Sequence, residues 1–204
     1  VIVDVRLPLR QEIATRVIAI ATSAGGLAAL SQVLHDLPIG FPAGLLVLQH
    51  LQPSHPSHLA RILGWHTALT VTEARTGVAP RNGTVYVAPP AAHLLVGADR
   101  RLDLSQLPPL HFCRPSADRL FASVATSFGP RAIAVVLTGN GRDGAEGAQL
   151  VRRCGGMVIV QDEPSSAYTG MPRAAVQAGS VDRVLPLEAI GPALQALVAS
   201  AEAA

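Results

Sequence analysis

Three stretches of the chain, RVIAIAT (16–22), AGLLVLQ (43–49) and AIAVVLT (132–138), are unbroken runs of mostly Val, Ile, Leu and Ala. A strand with one wet face alternates apolar and polar positions. A run without alternation marks a strand buried on both faces, as in a parallel sheet covered by helices. Four shorter runs, ALTVTE (68–73), TVYVA (84–88), HLLVG (93–97) and MVIVQ (157–161), add further strands. Helix starts lie between them. Ser54 precedes HPSHLARILGW, with Pro56 near the first turn, and Ser116 precedes ADRLFASVATSF, with Asp118 in the first turn and Gly129-Pro130 to stop it. The segment after Gly25, residues 144–153 and residues 187–199 read as further helices. GTVYVAPPAAHLLVG reads as two strands joined at Pro89-Pro90, which predicts an antiparallel hairpin. The pattern predicts one doubly wound α/β domain: a mostly parallel sheet, helices on both faces and an antiparallel β-hairpin excursion.

Composition narrows the function classes. A chain of 204 residues suits one generous domain, 49% hydrophobic and 15% charged residues suit a large core, and 3% aromatics make that core aliphatic. All 16 basic residues are arginine and the net charge is only +2, too little to suggest a nucleic-acid partner. Cys113 and Cys154 fit neither a CxxC nor a metal-ligand spacing and read as reduced thiols of a cytoplasmic protein. No stretch approaches 18 apolar residues and no leader pattern opens the chain, so membrane insertion is not expected. The first residue is not methionine. Residues 1–15 read as an N-terminal extension or linker remnant, and 16–204 as the functional domain.

Ligands of open α/β sheets bind outside the carboxyl ends of the strands. The first strand delivers Ser23 there, the second delivers His50, and the loop after the 132–138 strand, GNGRDGAEG, delivers Asp143. A hydroxyl, an imidazole and a carboxylate are the parts of a nucleophile, base and orienter. Taken singly, Ser23 reads equally well as a helix cap, while His50 reads first as a packed histidine and Asp143 first as an N-cap. Three such residues at one sheet edge favour catalysis. Phosphate binding is the weaker reading, because ATSAGG is not G-x-G-x-x-G and a chain without lysine has no P-loop. The order Ser–His–Asp also differs from that of α/β-hydrolases, and ATSAG lacks the first glycine of their nucleophile elbow. His55 and His58 stand three apart with no third ligand in view, so no metal and no cofactor are expected.

At these residues the chain resembles the catalytic domain of the CheB protein-glutamate methylesterases. The matching motifs are ATSAGG, LQH (48–50), LTGNGRDGA (137–145), YVAPPAAH (86–93), RPSADRLFASVA (114–125) and GMPRAAVQAG (170–179). The resemblance implies hydrolysis of γ-glutamyl methyl esters on the cytoplasmic helices of methyl-accepting chemoreceptors, with deamidation of receptor glutamines in some members. It also implies an upstream receiver domain or a separate regulator. Ser23 would be the nucleophile, His50 the base and Asp143 its orienter. Backbone N–H groups near Ala24, Gly25 and Asn140 would hold the oxyanion. Met171 is a candidate pocket wall or core residue, and Arg173, like Arg142, a candidate contact for acidic receptor helices or a solvated charge. Ala24 stands where the family usually has threonine, and Asn140 where it has methionine. Two rival readings are a binding module without turnover and an esterase or amidase unrelated to chemotaxis.

Overall fold

A computed structural model describes residues 12–51 and 57–202. Among the described residues, seven strands form one sheet in the order β3-β4-β2-β1-β7-β8-β9, and every neighbouring pair is parallel. They are β1 Val17–Thr22, β2 Gly44–Gln49, β3 Thr70–Glu73, β4 Thr84–Val87, β7 Ala132–Val136, β8 Met157–Gln161 and β9 Arg183–Leu185. The unbroken apolar runs become β1, β2 and β7, which are adjacent at the centre of the sheet. Both faces are dry. Along β1, Val17, Ala19 and Ala21 join a core with Phe121 and Val124 of helix α3 (Ala117–Phe128) and Val151 of α4 (Ala145–Arg153). Ile18 and Ile20 join the opposite core, with Leu30 and Leu34 of α1 (Gly26–His35) and Ile190 and Leu194 of α6 (Leu187–Glu202). No described helix is long and apolar enough to cross a membrane.

Three expectations change. The antiparallel hairpin exists, but not across Pro89-Pro90. β4 is held between β2 and β3, and β5 (His93–Val96) pairs instead with β6 (Leu102–Ser105). The chain reverses at Gly97–Arg100, where Arg100 takes φ 61° and its N–H donates to Gly97 O at 2.9 Å. A period-two pattern marks a strand without naming its partner, and two prolines without N–H groups favour a crossing out of the sheet over a tight turn. β9 was not anticipated: it has three residues, and its Val184 is half exposed at the sheet edge. Helix α5 (Gly170–Gln177) was hidden by Gly170 and Pro172 in its first turn. Of the predicted start of α2 (Leu59–Gly64), Ser54 and Pro56 lie outside the described residues.

Helices α3 and α4 cross closely because α4 carries Gly147 at the contact. A Cβ there would stand 2.7 Å from both Asp118 O and Phe121 Cβ. Alanine would gain about 1 kcal/mol of helix propensity, but neither the backbone oxygen nor a packed Cβ can yield. Gly147→Ala is therefore expected to destabilise by a net ~1–3 kcal/mol, read as a lower urea midpoint at unchanged slope. An unchanged midpoint would show that the helices separate without penalty.

The site is placed by topology. From β1 the chain runs to β2 on one side and later returns to β7 on the other. The carboxyl ends of β1 and β7 therefore diverge at a switch point, where such sheets open a crevice.

Candidate active site

Ser23 sits on the turn from β1 into α1. Its N–H donates to Thr138 O at 3.0 Å, and the buried Thr22 hydroxyl donates to the same oxygen at 2.7 Å. Thr138 Oγ1 also donates to Ala24 O at 3.0 Å and accepts from Tyr168 N at 2.9 Å. The serine turn is thus pinned to the end of β7 and to the segment before α5. Gly25, at φ 77°, reverses the chain into α1. A Cβ on Gly25 would lie 3.0 Å from Ala167 Cβ. The N–H groups of Ala24 and Gly25 are used by no hydrogen bond of the fold among the described residues. They face the requirements of an anion at a helix N-terminus.

His50 follows β2, with its N–H donating to Thr22 O at 3.0 Å. Its Nε2 meets Asp143 Oδ2 at 2.9 Å. Asp143 is held from every side: Ser116 Oγ donates to Oδ1 at 2.8 Å, Asp118 N to Oδ1 at 3.0 Å and Ala117 N to Oδ2 at 2.7 Å. The carboxylate therefore sits at the N-terminus of α3, whose dipole and free N–H groups favour negative charge. Burial opposes ionisation of Asp143, but His50 and these N–H groups outweigh it and hold the carboxyl below its ordinary range. Burial likewise opposes charge on His50, yet the contacts with Asp143 and Cys113 prevail and raise its pKa to about 9. With Nε2 taken by Asp143, Nδ1 is the nitrogen left to act as base. That is the reverse of the serine-protease arrangement, where Nε2 faces the serine.

Ser23 and His50 share the wall of a cleft of about 350 Å³ with Leu51, Pro109, Cys113 and Asn140. On its other side a groove of about 810 Å³ runs along the start of α1, past Ala24, Gly25 and Ser31 to His66. No Ser23 Oγ–His50 hydrogen bond is formed among the described residues. Such bonds commonly tighten only when substrate is in place.

The profile of the CheB methylesterase family matches residues 18–194. The chain belongs to the CheB methylesterase family. Protein-glutamate methylesterase FrzG of Myxococcus xanthus is 49% identical over 177 residues, 87% of this chain and 53% of FrzG. A protein-glutamate methylesterase/protein-glutamine glutaminase of Moorella thermoacetica is 44% identical, over 96% of this chain and 47% of its own length. The CheB methylesterase catalytic domain of Thermotoga maritima superposes with TM-score 0.86 at 34% identity, covering 89% of this chain and 98% of that domain. The chain spans about half the length of the curated relatives it matches.

Within this CheB-family fold the other expected site residues divide. Asn140 is exposed on the cleft wall beside Ser23. Met171 does not line the cleft: it is 1% exposed, and its N–H donates to Gly139 O at 2.8 Å, so it packs beneath the aspartate loop as core. Arg173 lies outside both cleft and groove, its guanidinium gripping Glu163 at 3.1 and 2.7 Å on the surface. Arg142 pairs with Glu146 at 3.3 Å. Asp143 caps no residue of its own helix, where Gly144 is the N-cap; it serves α3 instead. Sequence reasoning read Ser116 as a cap and missed that its hydroxyl also holds Asp143. It read Cys113 only as a reduced thiol, whereas its sulfur lies within 4.8 Å of a His50 ring nitrogen and an Asp143 oxygen. The RPSAD motif carried both the cap and its neighbourhood, but which carboxylate it would meet is a tertiary fact.

Proposed function

We propose that this chain is a serine-type protein-glutamate methylesterase, acting in the cytoplasm on γ-glutamyl methyl esters of chemoreceptor helices. The observation that carries the reading is the His50 Nε2–Asp143 Oδ2 contact of 2.9 Å beside Ser23 at the start of α1. His50 Nδ1 takes the Ser23 proton as Oγ attacks the ester carbonyl. Asp143 steadies the imidazolium and fixes its orientation. The tetrahedral oxyanion is held by the N–H groups at Ala24 and Gly25, joined by that of Asn140. Methanol leaves with the proton from His50, and an acyl ester remains on Ser23. Water, deprotonated by His50, then attacks the acyl carbon, releasing glutamate and restoring the serine. The same steps on a glutamine side chain release ammonia in place of methanol, an activity named for the Moorella relative.

Methanol release from methylated receptor membranes tests the substrate. The reading expects methanol in step with loss of receptor methylation. Hydrolysis of simple esters with receptors left methylated would move this chain to another esterase class. Because Asn140 would act through its backbone, Asn140→Met should change turnover less than about tenfold, roughly 1.4 kcal/mol. A thousandfold gain in methanol release would show that the Asn140 side chain obstructs the site.

A further inference from the structure

Two groups of metal-capable side chains occur among the described residues. One, His50 with Cys113 and Asp143, belongs to the site already described. The other is His111, Asp118 and Glu146, whose donor atoms all lie within 4.8 Å of one another. They come from three separate elements: the loop before α3, the first turn of α3 and the first turn of α4. His111 Nε2 stands 3.5 Å from Glu146 Oε1, and two ligands of a tetrahedral ion with bonds near 2.1 Å are separated by about 3.4 Å.

Asp118 makes this more than a surface cluster. It is only 5% exposed, and its Oδ1 accepts from Gly147 N at 2.7 Å. Its Oδ2 is buried and accepts no hydrogen bond among the described residues. A buried carboxylate oxygen without a partner is costly, and such an atom calls for an explanation. Burial, the charge of the neighbouring Asp143 and Glu146, and a side-chain hydrogen bond with Asp143 push the Asp118 carboxyl up to about 6, despite the Gly147 N–H. Arg142 Nη2 stands 3.3 Å from the same Glu146 Oε1 that faces His111, in an exposed pair that a cation would have to displace.

We propose that His111, Asp118 and Glu146 bind a divalent first-row transition cation at a site separate from the Ser23 cleft. One imidazole and two carboxylates suit zinc, manganese or cobalt better than calcium, which prefers oxygen alone, or copper(I), which prefers sulfur. His111 and Glu146 are exposed, so the ion has a path in, and Asp118 supplies the buried anchor. The bound cation ties the loop carrying Cys113 to α3 and α4. It also fixes Asp118, whose N–H donates to Asp143 at 3.0 Å.

Cobalt(II) titration of the untagged chain at slightly alkaline pH tests this, since there a proton on Asp118 competes least. We expect one Co²⁺ per chain, with d–d absorption and no thiolate-to-cobalt charge-transfer band. His111→Ala and Asp118→Asn should each weaken binding at least about tenfold, the minimum that even an outer-shell partner is worth. Cys113→Ser should bind as the wild type does. His111 lies on an exposed loop, so His111→Ala decides the matter even if Asp118→Asn fails to fold. The proposal is overturned by a thiolate band that Cys113→Ser removes, by unchanged affinity in His111→Ala, or by no binding up to millimolar cobalt.

Discussion

His50→Ala should bring ester hydrolysis down to background, and adding Ser23→Ala to it should make the enzyme no slower. The expectation follows from how a nucleophile and its base act as one unit. Without the imidazole, Ser23 keeps its proton; without the hydroxyl, the imidazole has nothing to activate. Losing either group alone costs on the order of 10⁶ in a fast serine protease, nearly as much as losing the whole triad. A slower esterase has less to lose, so the single variants reach the uncatalysed rate and the double variant stays there. Additive losses in methanol release would show that the two residues serve different steps.

Asp143→Asn should lower the plateau of the pH–rate profile by at most about 10⁴, the figure of a fast serine protease, while moving its rising limb to lower pH. The base must be neutral to accept the serine proton, so activity rises as pH passes through the His50 pKa, about 9 in the intact site. Removing the Asp143 carboxylate takes away the main partner of the imidazolium, while burial, which disfavours the charge, remains. The pKa then falls toward the ordinary value of about 6.5. Stopped-flow or steady-state kcat/KM between mildly acid and alkaline pH reads both effects. A lower plateau with an unmoved limb would mean that Asp143 orients His50 without stabilising its charge. Asn offers a single acceptor oxygen, so it keeps only one of the two α3 N–H bonds, that of Ala117 or that of Asp118, and the unfolding midpoint of the variant is read beside its kinetics.

Ser23 and His50 were legible because apolar runs announced where β1 and β2 end, and in a parallel sheet the ends are where chemistry collects. Asp143 was legible as a position but not in its surroundings. Its four hydrogen bonds come from residues 50, 116, 117 and 118, all far from it in sequence. Met171 shows the limit of motif reasoning: proximity to the site in sequence pattern did not say whether its side chain faced the cleft or the core. The hairpin fails for a related reason, since alternation gives each strand its faces but leaves pairing direction to the rest of the sheet. Asp118 is the first-turn acid of α3 that the sequence predicts, and what the sequence does not show is its burial and the Gly147 N–H of α4 that it accepts.

The central claim is that Ser23 is the nucleophile. Cys113 makes that a real question, because its thiol stands beside the same imidazole and lines the same cleft. The deciding measurement is methanol release from methylated receptors by Ser23→Ala and Cys113→Ala side by side, with the wild type as reference. The account predicts background release from Ser23→Ala and turnover within about tenfold of wild type, some 1.4 kcal/mol, from Cys113→Ala. Retained release in Ser23→Ala with loss in Cys113→Ala would contradict it and make the thiol the attacking group.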